Sequence, residues 1–361
     1  MIGGPVLIAA GGTGGHVFPA LAVARALRER GVAVVWLGTA GGMEARLVPA
    51  NGFAIEWVRV AGIRGKGAGA WLLAPLRLAR AVADAIGVMR RRRPGVVLGA
   101  GGFVSGPGGI AAWLLRIPLL IHEQNAVAGL TNRWLARLAR VVLEAFPGSF
   151  GPGVHARCIG NPVRADIAAL APPGVRLAGR SGRARMLVIG GSQGARRLNE
   201  LVPAALARLA PASRPEVLHQ TGARHLEATQ AAYARAGVDA VIRAFIDDMA
   251  DAYAWADFAI CRAGALTIAE LQAAGLGAIL VPFPAAVDDH QTRNAEVLVR
   301  AGAAVLAPEA SLDAARLADS ITALSADPAR RQAMAEAARA GGITDAAARL
   351  ADLCIAAGRA R

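Results

Sequence analysis

The chain has 361 residues, of which 40 are basic and 26 acidic, for a net charge of +14. That length exceeds one ordinary hydrophobic core and suits two domains. A hydrophobic fraction of 55% excludes disorder, and 4% aromatics argue against a protein that stacks single-stranded bases. The charge is unevenly placed: residues 1–160 carry 18 basic and 6 acidic side chains, residues 161–361 carry 22 and 20. Such an excess points to nucleic acid or to an anionic membrane surface, and its position in the first half matters more than its size.

In chain order, a strand at Val6–Ala9 enters the loop Gly11-Gly12-Thr13-Gly14-Gly15-His16. A helix is expected from Pro19 to Arg30, because proline suits a first helical turn and Gly31 ends the pattern. Further strands fit Val32–Leu37, Ala54–Val60, Val96–Leu98, Leu119–His122 and Val141–Leu143, with helical stretches between them. Asn161-Pro162 and the Gly-, Pro- and Arg-rich stretch Pro172–Arg185 suggest a hinge and linker. The plan then restarts with a strand at Met186–Ile189, the loop Gly190-Gly191-Ser192-Gln193-Gly194 and a helix at Ala195–Arg208. Strands at Val217–His219, Ala240–Arg243, Phe258–Ile260 and Ala278–Val281 complete it. The alternation predicts an α/β protein of two doubly wound parallel-sheet domains, 1–160 and 161–361, facing across a cleft, with a last helix near 340–361 able to pack back on the first.

Cys158, Cys261 and Cys354 are odd in number and far apart, so they give neither a disulfide framework nor a metal-type pair, and a reducing cytoplasm is the default. The uncharged N-terminal run has no basic leader and is broken by glycines, unlike a signal peptide. The run Pro94–Leu115 holds seven glycines and two prolines and reads as strand, loop and helix rather than a bilayer span.

Glycines at a strand's C-terminal end let backbone approach a ligand, and the following helix presents unpaired N–H groups to an anion. Neither opening loop is a dinucleotide fingerprint, and no Walker A loop occurs. A tight strand-to-helix turn would explain either loop alone, but two in equivalent places, one with Thr13 and His16 and the other with Ser192 and Gln193, favour a site. In the second half, Arg262-Ala263-Gly264-Ala265 through Glu270 reads as strand end, turn and helix start. Its first amides would face a phosphate or sugar, with Arg262 as a charge clamp. Glu270 either accepts a ribose diol or serves only the helix dipole. Asp288-Asp289-His290-Gln291-Thr292-Arg293-Asn294 is a polar cluster after a strand, where such folds place their sites.

These segments, with GIRGKG (62–67), GGFVSGPGG (101–109), HEQN and AGLTNRWLA (122–136), GNPVR (160–164), FIDDMADAYAWAD (245–257) and CRAGALTIAE (261–270), resemble the MurG family of bacterial cell-wall glycosyltransferases. They run from the first strand to about residue 300; Ala285-Ala286 departs from relatives that often carry a histidine there. The resemblance implies a GT-B fold and transfer of GlcNAc from UDP-GlcNAc to the muramyl 4-hydroxyl of lipid I, a polyprenyl diphosphate glycolipid. Carried over by position, the donor contacts are Thr13, Gly14, Gly15, Asn125, Arg164, Ser192, Ile246, Arg262, Ala265, Leu266, Thr267, Ile268, Ala269, Glu270 and Gln291. Ile246 could read uracil only through its main chain. The acceptor side would use Arg64, Lys66, Trp71, Leu72, Leu73, Gly101, Gly102 and Ser105.

His16 is the candidate base, placed at a helix N-terminus where the dipole disfavours imidazolium; alternatively it only hydrogen-bonds the acceptor diphosphate. Glu123, beside His122, competes for either role. No Asp-x-Asp occurs, so no metal or other cofactor is expected, with Arg262, Arg164 and helix dipoles opposing the diphosphate charge. Apolar and basic residues interleave over Gly62–Arg80, followed by Arg90–Arg93, which suits an anionic inner-leaflet surface; a buried helix with a solvated arginine face would give the same pattern. Trp113 alone is expected in the core. The expected location is the cytoplasmic face of the membrane, in contact with lipid and with other wall-synthesis proteins. The rivals are another GT-B transferase or epimerase, a non-catalytic membrane scaffold, and a nucleic-acid binder, for which no binding motif appears.

Overall fold

Four apolar residues, Val6–Ala9, are buried on both faces, which places this strand (β1) in the middle of a sheet covered on two sides. The computed structural model describes residues 3–60, 74–191, 194–284, 286 and 289–359. It divides into two units: one ends at Arg164 and takes up the chain again from Asp345, the other is Ala165–Thr344.

In the first unit β1 is joined by β2 (Val34–Gly38), β3 (Ala54–Trp57), β4 (Val96–Gly99), β5 (Leu119–Glu123), β6 (Val141–Glu144) and β7 (Arg157–Cys158). Their order is β3-β2-β1-β4-β5-β6-β7, and every pairing is parallel. Alternation along β1 divides the core: Val6 and Ile8 pack toward Val17, Leu21 and Leu350, while Leu7 and Ala9 pack toward Val82, Met89 and Ala111. The helix Ala346–Arg359 adds Leu350, Ala351 and Cys354 to the first of these clusters, and Arg30 pairs with its Asp352 at 2.7 Å.

The first helix runs Gly14–Glu29, five residues ahead of its expected start. Pro19 sits inside it rather than at its head; Gly14 and Gly15 form a first turn whose amides have no intrahelical partner in any case. Trp113 also departs from expectation. On the helix Ser105–Leu114 it is 53% exposed, because Ala111 and Ala112 take the buried face.

The second unit holds β8 (Arg185–Ile189), β9 (Glu216–Gln220), β10 (Val241–Arg243), β11 (Phe258–Cys261), β12 (Ala278–Leu280) and β13 (Ala304–Leu306). Their order, β10-β9-β8-β11-β12-β13, is again all parallel. Part of the expected linker is docked on this unit. The Arg176 guanidinium donates to the carbonyls of Tyr253 (3.3 Å), Ala256 (3.0 Å), Ala274 (3.2 Å) and Gly275 (2.6 Å), the ends of the helices Met249–Trp255 and Ala265–Ala274. Cations at helix C-termini satisfy orphaned carbonyls and oppose the dipole. Arg180 does likewise for Ala254 (2.5 Å) and Trp255 (2.8 Å) and pairs with Asp257. Two arginines of the expected linker thus cap helix ends.

On β9, fully buried His219 is hydrogen-bonded through Nδ1 to the Tyr233 hydroxyl (2.9 Å) and through Nε2 to Asn199 Oδ1 (3.0 Å). Burial pushes its pKa down to about 3. Below pH 6.5 the unfolded chain therefore binds a proton that the folded unit refuses, and stability falls with pH down to about 3, by at most about 1.4 kcal/mol per unit. Urea midpoints measured from pH 7 to 4.5 should fall, and His219→Gln should flatten that slope. An equal slope in the variant would assign the acid sensitivity elsewhere.

Candidate active site

In a doubly wound sheet, ligands bind beyond the strand C-termini where the order reverses. In the first unit that point lies between β1 and β4, so the loop after Ala9 meets the loop after Gly99. The approach is close enough to require glycine. Gly102 has φ +80°, and a Cβ there would lie 2.1 Å from the Gly11 carbonyl oxygen; Gly101 has φ +90°, and its Cβ would fall 2.2 Å from His16 Nδ1. Ser105 Oγ lies 2.8 Å from the carbonyls of both Ala9 and Gly101 and is wholly buried. It therefore ties the two loops together, where direct acceptor contact had been expected.

Thr13 precedes the helix with an extended backbone and no side-chain cap, leaving the Gly14 and Gly15 amides open to an anion. His16 is the third helical residue, and its Nδ1 lies 3.2 Å from Gln124 Oε1. Gln124 Nε2 donates to the Ala100 carbonyl at 2.7 Å. Below the glycine loop, buried Glu44 accepts from Gly12 N (2.9 Å), Thr39 N (2.9 Å) and Thr39 Oγ1 (2.7 Å). Sequence reasoning missed Glu44 and gave Gln124 no role. The signal for Glu44 was the glycine set around it: Cβ atoms on Gly11 and Gly42 would stand 2.4 and 2.1 Å from its carboxylate oxygens.

At the end of β5, His122 Nε2 donates to the Gly160 carbonyl at 2.9 Å, and burial pushes its pKa down, which keeps the ring neutral. Glu123 is buried with four N–H donors: Asn125 N (2.9 Å) and Nδ2 (3.0 Å) on one oxygen, Gly129 N (3.1 Å) and Asn132 Nδ2 (2.8 Å) on the other. So engaged, it shapes the 125–132 loop. Arg164 is the last residue of this part of the unit and is half-buried.

In the second unit the reversal lies between β8 and β11. Gly194 has φ +77° and leaves no room for a Cβ against the Thr221 carbonyl oxygen, 1.9 Å away. Past β11, Gly264 caps the helix Ala265–Ala274 without a side chain, and the ladder begins with Ile268 N to Gly264 O at 2.9 Å. The amides of residues 265–267 are therefore the open ones. Ile268 and Ala269 lie past the open amides and bury their side chains, and the Ile246 side chain is buried too. Glu270 is positioned by the Tyr253 hydroxyl, which donates to Oε2 at 3.0 Å.

The polar cluster holds this turn. Gln291 Oε1 accepts from Ala263 N (3.2 Å) and Phe283 N (2.9 Å), and Asn294 Nδ2, one turn on, donates to Ala263 O (3.1 Å). Two backbone donors fix the Gln291 amide, leaving Nε2 as its donor end. Arg262 does not stand as the expected phosphate clamp. Its guanidinium donates to Val281 O (3.1 Å) and Pro282 O (3.2 Å), pairs with Glu309 at 2.5 Å and lies over the Phe283 ring. With its charge countered, it braces the loop after β12.

Ser192, Arg64, Lys66, Trp71, Leu72 and Leu73 lie outside the described residues. Among the described residues no three His, Cys, Asp or Glu side chains assemble as a metal-ligand group, and no helix is long and apolar enough to cross a membrane.

Each unit thus has a switch-point site that joins glycine-enabled close approach to an uncapped helix start. Residues 6–144 match the glycosyltransferase family 28 N-terminal domain and residues 185–350 its C-terminal domain. A Marinobacter nauticus UDP-N-acetylglucosamine--N-acetylmuramyl-(pentapeptide) pyrophosphoryl-undecaprenol N-acetylglucosamine transferase is 57% identical over 97% of this chain and 96% of its own length. The Nitrosococcus oceani protein of the same name is 58% identical over 97% and 98%. The crystal structure of Acinetobacter baumannii MurG superposes with a TM-score of 0.84 at 40% identity, covering 98% of this chain and 99% of that one. The chain belongs to the MurG family of glycosyltransferase family 28.

Proposed function

We propose that this chain moves N-acetylglucosamine from UDP-GlcNAc to the 4-hydroxyl of the muramyl residue of undecaprenyl-diphosphate muramyl-pentapeptide, lipid I to lipid II. The observation that carries this is identity of 57–58% to transferases of that name over 97% of the chain. The hydroxyl oxygen attacks the anomeric carbon, the bond from that carbon to the UDP oxygen breaks, and the hydroxyl proton passes to Nε2 of His16. The anomeric centre is inverted and UDP leaves.

In the second unit the main chain of Ile246 reads uracil and Glu270, set by Tyr253, takes the ribose hydroxyls. The amides of residues 265–267 and the helix dipole take the diphosphate, with Ser192. Gln291 Nε2 donates to a sugar hydroxyl. Thr13, Gly14, Gly15, Asn125 and Arg164 supply the remaining donor contacts. Glu123 serves as a positioning residue, since its oxygens already hold the Asn125 loop. Charge-assisted hydrogen bonds contribute about 1.5–3 kcal/mol each. Glu270→Ala should therefore raise KM for UDP-GlcNAc about 10- to 100-fold while changing KM for the lipid little. An unchanged donor KM would remove Glu270 from the ribose.

The first unit meets the membrane surface from the cytoplasmic side. The helix Ala74–Arg92 exposes Leu76 (70%) and Leu78 beside Arg77 and Arg80, and Trp113 and Leu114 add exposed apolar area. Interleaved apolar and basic side chains favour an anionic interface by about 1 kcal/mol per basic residue. Vesicles containing phosphatidylglycerol should bind the protein at least several-fold more tightly than neutral ones; equal binding would contradict the electrostatic part. The function as a whole is tested by incubating the protein with UDP-GlcNAc and a soluble muramyl-diphosphate-lipid analogue in excess EDTA. Disaccharide product and stoichiometric UDP support it. Turnover that is absent until Mg²⁺ or Mn²⁺ is added would overturn the metal-independent part, and no product under either condition the whole.

A further inference from the structure

We infer that Gln124 is a positioning residue that fixes the His16 imidazole as the Nδ1–H tautomer and so makes Nε2 its proton-accepting nitrogen. The donors and acceptors on the Nδ1 side carry the assignment. The Ala100 carbonyl can only accept, so the Gln124 group 2.7 Å from it is the NH₂. The other end, 3.2 Å from His16 Nδ1, is then the amide oxygen, which also can only accept. His16 must donate from Nδ1. Gln124 follows β5 directly and is 2% exposed, and a turned amide would set its oxygen against the Ala100 carbonyl oxygen.

The ring is held as well as polarised. Gly101 leaves space under the imidazole that any Cβ would fill, 2.2 Å from Nδ1 and 3.1 Å from Gln124 Oε1. An isolated neutral imidazole exchanges between tautomers, and one with the proton on Nε2 offers no lone pair to an attacking hydroxyl there. A neutral amide acceptor fixes the tautomer much as a carboxylate orients the histidine of a hydrolase triad. Being uncharged, it does so without adding an anion beside an acceptor that carries a diphosphate.

The inference about catalysis rests on His16 as base; the tautomer does not. The test uses the full chain with ¹⁵N-histidine and long-range ¹H–¹⁵N correlation, with His16 assigned by its loss in His16→Gln. At a pH where the ring is neutral, His16 should show a protonated Nδ1 and an unprotonated Nε2. A protonated Nε2 or an even mixture would overturn the inference. Gln124→Met removes the acceptor at similar size: the His16 tautomers should redistribute and kcat fall about 10- to 100-fold, within the range of general-base help, with KM for UDP-GlcNAc within about twofold. Gln124→Glu cannot donate to Ala100 but still accepts from His16; it should keep Nδ1–H and lose less kcat than Gln124→Met, while its added charge raises KM for the lipid acceptor. Equal loss of kcat in both variants, with Nδ1–H kept in the glutamate form, would make Gln124 a mere loop bridge and overturn the positioning role. Tautomer redistribution with unchanged kcat would uphold the tautomer assignment and sink His16 as base.

Discussion

His16→Ala lowers kcat by about 10²- to 10⁴-fold, the range of general-base assistance, and moves KM for UDP-GlcNAc by no more than about threefold. His16 stands in the first turn of the helix Gly14–Glu29, two residues past open amides suited to a diphosphate, and its ring is set by Gln124 above Gly101. A residue so placed could hydrogen-bond the acceptor without taking its proton. The two roles separate in His16→Gln, which keeps a donor and an acceptor but cannot serve as base near neutral pH. If only hydrogen bonding matters, the glutamine form keeps kcat and the alanine form raises KM for the lipid. If proton transfer matters, both lose kcat alike. The half-buried ring contributes little to the core, so both variants should melt within a few degrees of the parent.

Gly102→Ala has the largest expected effect outside the reacting groups. Two costs add. An L-residue at φ +80° is strained by about 1–2 kcal/mol. Its Cβ would also lie 2.1, 2.9 and 3.1 Å from the O, C and N of Gly11, all backbone, so no side chain can swing away. The β4 loop must lift off the glycine loop. We expect a loss of about 2–4 kcal/mol, a fall of about 5–15 °C in Tm for a unit of this size, and a kcat at least about 100-fold lower, since misplacement by about 1 Å costs that much. Gly41→Ala is the control: nothing lies within 4 Å of a Cβ there and its φ is not positive. Near-native activity in Gly102→Ala would mean that the two loops need not touch for the site to work.

These effects show which parts of the molecule the sequence could disclose. Buried strands such as Val6–Ala9 and Met186–Ile189 announce themselves, because a parallel sheet covered on both faces needs continuous apolar runs. The glycine loops announce themselves too, because close backbone approach leaves few other residues possible. Side-chain direction was not legible. Arg262 and Glu270 lie eight residues apart in one motif, yet Arg262 turns to Glu309 and the carbonyls after β12 while Glu270 is held by Tyr253. Glu123 looked like a reactive acid beside a histidine, and only the fold reveals four donors around it. Glu44 and Gln124 carry no local pattern; their partners, Gly12 and His16, lie 32 and 108 residues away. Arg176 and Arg180 lie in a Gly- and Pro-rich stretch that reads as hinge and linker, and the helix ends they cap are 99 and 75 residues further along the chain.

The proposed reaction is a direct, inverting displacement in which His16 takes the proton. It is tested most directly by a single-turnover reaction with enzyme in excess over UDP-GlcNAc and a soluble muramyl-diphosphate-lipid acceptor, quenched over time, with the new linkage read from its anomeric proton. The parent protein should give one β-linked disaccharide per UDP released, and His16→Ala the same product at least about 100-fold more slowly. An α-linked product, UDP release without disaccharide, or an undiminished single-turnover rate in His16→Ala would contradict it.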